Sequence, residues 1–251
     1  MAKPIIFMEI PSLLEMLKAG VHFGHRTTKW HPKMEQYIFG ARNNVHIVNL
    51  EKTQEEIART VEFIKELVAK GGVILFVGTK TQAQEAVKKS ATDCGMPYVT
   101  IRWLGGTLTN FTVLRGRVKH FIDLRGKQQS GELQKYTKKE QIKFGKEIED
   151  LQEKFGGIET LERRPDALFI IDVQHEKTAV HEAQLSGIKI IALCDTNVNP
   201  TNIDYCIPGN DDALKSVELI AKIIGDAVKE GKELGARRKV EAQSPAVVAH
   251  N

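Results

Sequence analysis

Gly71-Gly-Val-Ile-Leu-Phe-Val-Gly-Thr-Lys-Thr81 decides the fold. The run from Val73 to Val77 is apolar without a break. A half-exposed strand would alternate with polar residues, so this run predicts a strand covered on both faces. Gly78 supplies a tight strand-to-helix turn, and Thr81 opens a helix that reaches about Cys94. Upstream, Thr53-Gln-Glu-Glu56 has the pattern of a capping box. It predicts a helix start, followed by Ile57, Val61, Ile64 and Leu67/Val68 at helical spacing. Gly71-Gly72 end that helix, glycine being the residue that tolerates a left-handed cap. Downstream, Tyr98 to Trp103 reads as a further short strand.

The pattern returns late in the chain. Ala167-Leu-Phe-Ile-Ile171 and the run from Ile188 to Leu193 are apolar strands separated by a helix from about Lys177 to Ser186. Tyr205-Cys-Ile207 is a short final strand. Asn210-Asp-Asp can cap a helix carrying Leu214, Val217, Ile220/Ala221 and Ile224. Strand and helix alternating at these lengths imply right-handed crossovers and a mainly parallel sheet with helices on both faces.

The middle follows another rule. Leu114, Val118 and Phe121 are spaced four and three apart, with Arg125 at the next seam position. Phe144, Ile148, Leu151, Phe155 and Ile158 keep a 4-3-4-3 rhythm. Gln128 to Lys135 is polar, and Thr137-Lys-Lys-Glu140 is another capping box. This predicts a coiled-coil hairpin of two antiparallel helices. The expected organisation is an α/β domain in two parts, 1–105 (with an N-terminal helical segment) and 163–230, around a hairpin insertion at 106–162. A flexible tail is expected at 231–251.

An apolar fraction of 41% supports a real core. No apolar run approaches the roughly 20 residues that cross a bilayer. Met1 to Glu9 carries one Lys and a short apolar stretch broken by Pro4, a poor fit to a signal peptide. Three widely spaced cysteines, Cys94, Cys194 and Cys206, argue for a reducing compartment. A cytoplasmic protein without a membrane partner is expected. The net charge of +4 hides an uneven distribution. Lys18, Arg26, Lys29, Lys33 and Arg42 face Glu35 alone; Arg102, Arg115, Arg117, Lys119, Arg125 and Lys127 face only Asp123. Two basic stretches of this kind suit a polyanion.

Catalytic chemistry finds little support. Gly78-Thr-Lys-Thr81 sits where a phosphate cradle would, but Thr79 separates the Gly-Lys pair that a phosphate loop needs. His22, His25 and His31 lie close in sequence. Asp172, His175, Asp195 and Asp204 fall at or just beyond strand ends, where ligands bind open α/β sheets. No H-E-x-x-H or paired C-x-x-C accompanies them, so no catalytic metal, cofactor or catalytic residue is expected, and an ion at the histidine cluster stays an open alternative. Cys194 and Cys206 sit in apolar settings that suit inert buried thiols.

RNA binding fits more residues. His25-Arg-Thr-Thr-Lys-Trp-His-Pro-Lys33 mixes cations for phosphates, hydroxyls for backbone oxygens and aromatic planes for unpaired bases. Arg102-Trp-Leu-Gly-Gly-Thr-Leu-Thr-Asn110 repeats the theme. Trp30 and Trp103, each taken separately, read slightly better as packing anchors at the base of the hairpin than as stacking planes. The candidate RNA-binding residues are Arg26, Lys29, Trp30, Lys33, Arg42, Arg102, Asn110, Arg115 and Arg117.

Several longer segments resemble one family. Ala19-Gly-Val-His-Phe-Gly-His25, Phe39-Gly-Ala-Arg-Asn43, His46-Ile-Val-Asn-Leu-Glu-Lys-Thr53, Phe76-Val-Gly-Thr-Lys80 and Arg102-Trp-Leu-Gly-Gly106 look like signature segments of the ribosomal protein S2 family. So do Pro165-Asp-Ala-Leu-Phe-Ile-Ile-Asp172, Cys194-Asp-Thr-Asn197 and Ile207-Pro-Gly-Asn-Asp-Asp-Ala213. They run in order from about Leu14 to about Gly231, and the inserted hairpin resembles the bacterial form. Arg163-Arg164 before Pro165 depart from the apolar residue expected there. The resemblance implies a flavodoxin-like three-layer parallel sheet and a structural role in the small (30S) subunit in translation. It further implies contact with 16S ribosomal RNA near the head–body junction, among neighbouring ribosomal proteins, and help in anchoring ribosomal protein S1. Two other classes stay open on the residues. One is a nucleotide- or small-molecule-binding α/β enzyme using Asp172, Asp195 and His175; the other is a protein-interaction module built on the hairpin.

Overall fold

The computed structural model describes residues 10–243, with side chains through Val240. The reading of Met1 to Glu9 and the end of the expected tail, 244–251, lie outside the described residues.

Strands β4 (Ile74–Val77), β5 (Tyr98–Val99), β6 (Ala167–Ile171), β7 (Lys189–Cys194) and β8 (Tyr205–Pro208) form one sheet in the order β5-β4-β6-β7-β8. Every neighbouring pair is parallel. Numbered within the sheet alone, this is the 2-1-3-4-5 order of flavodoxin-like folds. The unbroken apolar runs have a simple cause. Ile74, Phe76, Phe169 and Leu193 face one core, with Ile57 and Ile64 of helix α2 (Leu50–Ala69), Val87 of α3 (Thr81–Cys94) and Ile224 of α7 (Leu214–Gln243). Leu75, Val77, Leu168 and Ile170 face the other. There they meet Ala179 and Ala183 of α6 (Lys177–Leu185) and Val118, Phe121 and Phe155 of the insertion. Each large side chain so buried stabilises the fold by about 1.5–3 kcal/mol.

The insertion consists of α4 (Phe111–Gln129) and α5 (Lys138–Phe155), joined through a 3₁₀ turn at Glu132–Lys135. Thr137 and Glu140 form the expected capping box. Leu114, Val118, Phe121, Leu124, Ile148 and Phe155 are buried. Arg125 does not serve as an apolar seam residue. It lies 4.9 Å from the Phe121 ring centroid and forms a two-pronged ion pair with Glu159, at 2.7 and 2.6 Å.

Four expectations need correction. Helix α2 starts at Leu50, because Asn49 Oδ1 accepts the Glu51 and Lys52 amides first. Thr53 lies inside the helix and donates its hydroxyl to Pro208 O. Strand β5 ends at Val99, and Trp103 lies in the loop beyond it. The N-terminal segment is not purely helical. After α1 (Leu13–Ala19), strands β1 (Phe23–Arg26), β2 (Ile38–Arg42) and β3 (Val45–Val48) form an antiparallel sheet in the order β1-β3-β2. Its turn, Asn43-Asn44, has positive φ at both residues, 50° and 60°, the geometry of a hairpin turn whose twist suits strands. Finally, α7 continues through Gly231 to Gln243. Gly231 and Gly235 allow close approach: a Cβ on either would come within 2.9 Å of Val68 Cβ or 2.7 Å of Ala69 O. What reads as a tail signal is therefore helix packing.

Candidate nucleic-acid interface

The first group of candidates sits on the N-terminal sheet. Arg26 ends β1 and Arg42 ends β2, and both pair with Val45 of β3. Directly opposite residues of an antiparallel sheet share a face. The segment between β1 and β2 is pinned by Lys29 N–H donating to Arg26 O, His31 N–H to Thr196 O, and Lys33 N–H to His31 Nδ1. This segment exposes Lys29, Trp30 and Lys33, and the ends of β1 and β2 expose Arg26 and Arg42. Trp30 leans on His46, ring centroids 5.3 Å apart, and keeps 37% of its surface exposed. Lys33 Nζ donates to Thr201 Oγ1. Arg26, Lys29 and Arg42 have no acidic partner among the described residues, leaving their charge available to an outside anion.

The second group lies where β5 leads into α4. Arg102 and Asn110 are exposed, as is Arg117, while Arg115 is half-buried with its guanidinium near Glu159 O. Asn110 occupies the N-cap position of α4 but makes no capping hydrogen bond, so its amide stays available. Trp103 is buried and acts as a packing anchor, its indole N–H donating to Glu182 Oε1 at 3.1 Å. Glu182 Oε1 also accepts Gly106 N–H at 2.8 Å; Oε2 accepts the Leu108 and Thr109 amides and the Thr109 hydroxyl at 3.0, 3.2 and 3.2 Å. Burial opposes its ionisation, but the Leu108 amide, the Trp103 indole and the neighbouring amides win and hold the carboxyl below its ordinary range. No hydrogen bond or ring contact joins the two groups among the described residues.

The carboxyl edge of the large sheet is filled from within. Lys80, after β4, pairs with Asp172 after β6 (2.9 Å) and with Asp211 and Asp212 after β8 (3.1 and 2.5 Å). Burial works against its charge, but the hydrogen bonds to Asp212 and Asp172 and the Asp211 charge raise its pKa above the usual lysine range. Burial, with Asp172 and Asp195 nearby, pushes Asp211 up to about 7. Asp172 adopts φ 65° while accepting the His175 amide. Of the residues offered for an enzyme site, Asp172 is thus taken up by Lys80 and the His175 amide, and Asp195 by His25.

The three histidines do not converge. His31 caps Lys33, whereas His25 Nδ1 meets Asp195 Oδ2 at 2.9 Å and its Nε2 lies 3.7 Å from Asp212 Oδ2. The bond from Asp195 raises the His25 pKa, against the effect of burial. His25, Asp195 and Asp212 place ligand atoms within 4.8 Å of one another and could hold a metal ion. Asp204 instead pairs with Lys189. Sequence reasoning missed Asp212 and Glu182. Glu182 shows one signal: it falls at the buried spacing of α6 together with Ala179 and Ala183.

The model of the family described as Ribosomal protein S2 matches residues 16–231. The chain belongs to the ribosomal protein S2 family. The match covers the N-terminal sheet, the insertion and the whole large sheet. The S2 family is a family of structural proteins of the small ribosomal subunit, and not of enzymes. Membership implies incorporation into the ribosome with ribosomal RNA and other ribosomal proteins. No helix among the described residues is long and apolar enough to cross a membrane.

Proposed function

We propose that this S2 protein binds 16S ribosomal RNA at the head–body junction of the 30S subunit and helps to anchor ribosomal protein S1. The observation that carries the RNA part is the shared face of Arg26 and Arg42 across Val45, with Lys29, Trp30 and Lys33 beside it. Cations without acidic partners neutralise phosphates, and a half-exposed indole offers a stacking plane. Arg102, Asn110, Arg115 and Arg117 form the second contact. Such an interface reads RNA by shape rather than by base sequence. A protein neighbour is supported by the exposed apolar surface of Leu14, Leu17 and Phe39, the last 78% exposed, since patches of this kind mark protein contacts.

The test is gradient fractionation of lysate at low and high salt, followed by blotting for this chain and for S1. Co-sedimentation with small subunits that salt disrupts supports the RNA reading. A chain that stays at the top of the gradient at low salt overturns it. Loss of S1, but not of this chain, from subunits carrying Phe39→Glu supports the anchoring role.

A further inference from the structure

The Arg102–Asn110 loop has almost no architecture of its own. Beyond local turns from Thr107 to Leu104 and from Asn110 to Gly106, its inward donors point at one carboxylate. The Trp103 indole, the Gly106, Leu108 and Thr109 amides and the Thr109 hydroxyl all end on Glu182. Gly106 is at φ 89°, a conformation in which side-chain-bearing residues are strained. Glu182 lies on the buried side of α6 with Ala179 and Ala183 and is only 5% exposed. Five donors converging on one anion make the loop a receptor that carries its own ligand.

We propose that Glu182 is the positioning residue of the second RNA contact: its buried carboxylate folds the loop so that Arg102 and Asn110, at the loop's two ends, face outward together. This rests on the RNA reading above. Glu182 touches no RNA. It acts through the loop, and it couples that surface to α6 and so to the large sheet.

The experiment compares full-length wild type, Glu182→Gln, Arg102→Ala and the double variant. It measures binding to a transcript of small-subunit ribosomal RNA and amide hydrogen exchange. Glutamine keeps the shape but turns one acceptor into a donor facing donors, leaving amides unpaired. Exchange at Gly106, Leu108 and Thr109 is expected to quicken at least about tenfold while α2 and α7 stay protected, and affinity is expected to fall about tenfold, a change of roughly 1.4 kcal/mol. The double variant is expected to bind within about twofold of Glu182→Gln alone, because a misplaced Arg102 has little left to lose. Unchanged affinity in Glu182→Gln, or losses that multiply in the double variant, overturn the inference. A wild type that shows no salt-sensitive binding overturns the RNA reading instead. If Glu182→Gln does not fold, Thr109→Val removes one donor. It is expected to weaken binding about two- to threefold with faster loop exchange, and no change in either overturns the inference.

Discussion

Arg26 and Arg42 stand across from the same residue, Val45, on the two outer strands of the N-terminal sheet. Their backbones are therefore two strand spacings apart, about 10 Å. The hydrogen-bonded ladder fixes the backbones from which the two guanidinium groups reach, so neighbouring phosphates can be engaged without the backbone first being ordered.

Reversing Arg26, Lys29 and Lys33 to Glu is expected to prevent incorporation into small subunits while leaving the fold intact, since all three side chains are exposed. The log–log salt dependence of RNA binding should lose about three units of slope, close to one for each phosphate contact. Titrations of binding against salt check this, and an unchanged slope removes these residues from the interface.

The turn between β2 and β3 predicts a backbone effect. Asn43 and Asn44 both hold positive φ, which a β-branched residue adopts only at a cost of about 1–2 kcal/mol. Asn44→Val is expected to destabilise by that amount, whereas Asn44→Gly should be close to neutral. Denaturant midpoints of the two variants distinguish the cases.

Asp166 predicts a pH dependence. It accepts the Val73 amide at 2.7 Å and pairs with Arg163, which also donates to Gly71 O. Burial opposes its ionisation, but Arg163 and the Val73 amide outweigh it and lower its pKa from 3.8. A depressed folded-state value adds stability above the unfolded pKa, and that stability is lost as pH falls through the folded one. Asp166→Asn should cost about 1 kcal/mol at neutral pH and progressively less below about pH 4. Unfolding free energies across that range test the sign.

Gly235 gives a result opposite to helix propensity. Alanine in the middle of a helix normally adds about 1 kcal/mol of stability over glycine. Here its Cβ would fall 2.7 Å from Ala69 O and 3.1 Å from Ala69 Cα, so Gly235→Ala is expected to lower stability by about 1–3 kcal/mol. A raised melting temperature would show that α2 and α7 can separate without penalty.

The large sheet could be read in advance because its strands are covered on both faces, so that Ala167–Ile171 and Ile74–Val77 appear as unbroken apolar runs. The N-terminal sheet could not. Phe23–Arg26 and Ile38–Arg42 are partly exposed strands containing Gly24 and Gly40, with a bulge or irregularity in their pairing. The Asn43-Asn44 turn was the one local clue. The exposed cations of the proposed interface were legible because surface charge is written directly in sequence. What stayed hidden were pairings between residues far apart in the chain, such as Glu182 with the 103–109 loop or His25 with Asp195, which only the folded topology brings together.

The ties on Lys80 have a kinetic consequence. They connect residues 92 and 131 positions away along the chain, through the ends of β4, β6 and β8, strands that are not all neighbours. Such a cluster closes only when four parallel strands already lie in register, and contacts of such long sequence separation form late. Lys80→Met should therefore hasten unfolding while leaving the rate of refolding nearly unchanged, as for interactions absent from the transition state. The ammonium acts as a latch on the finished sheet rather than as part of its nucleus.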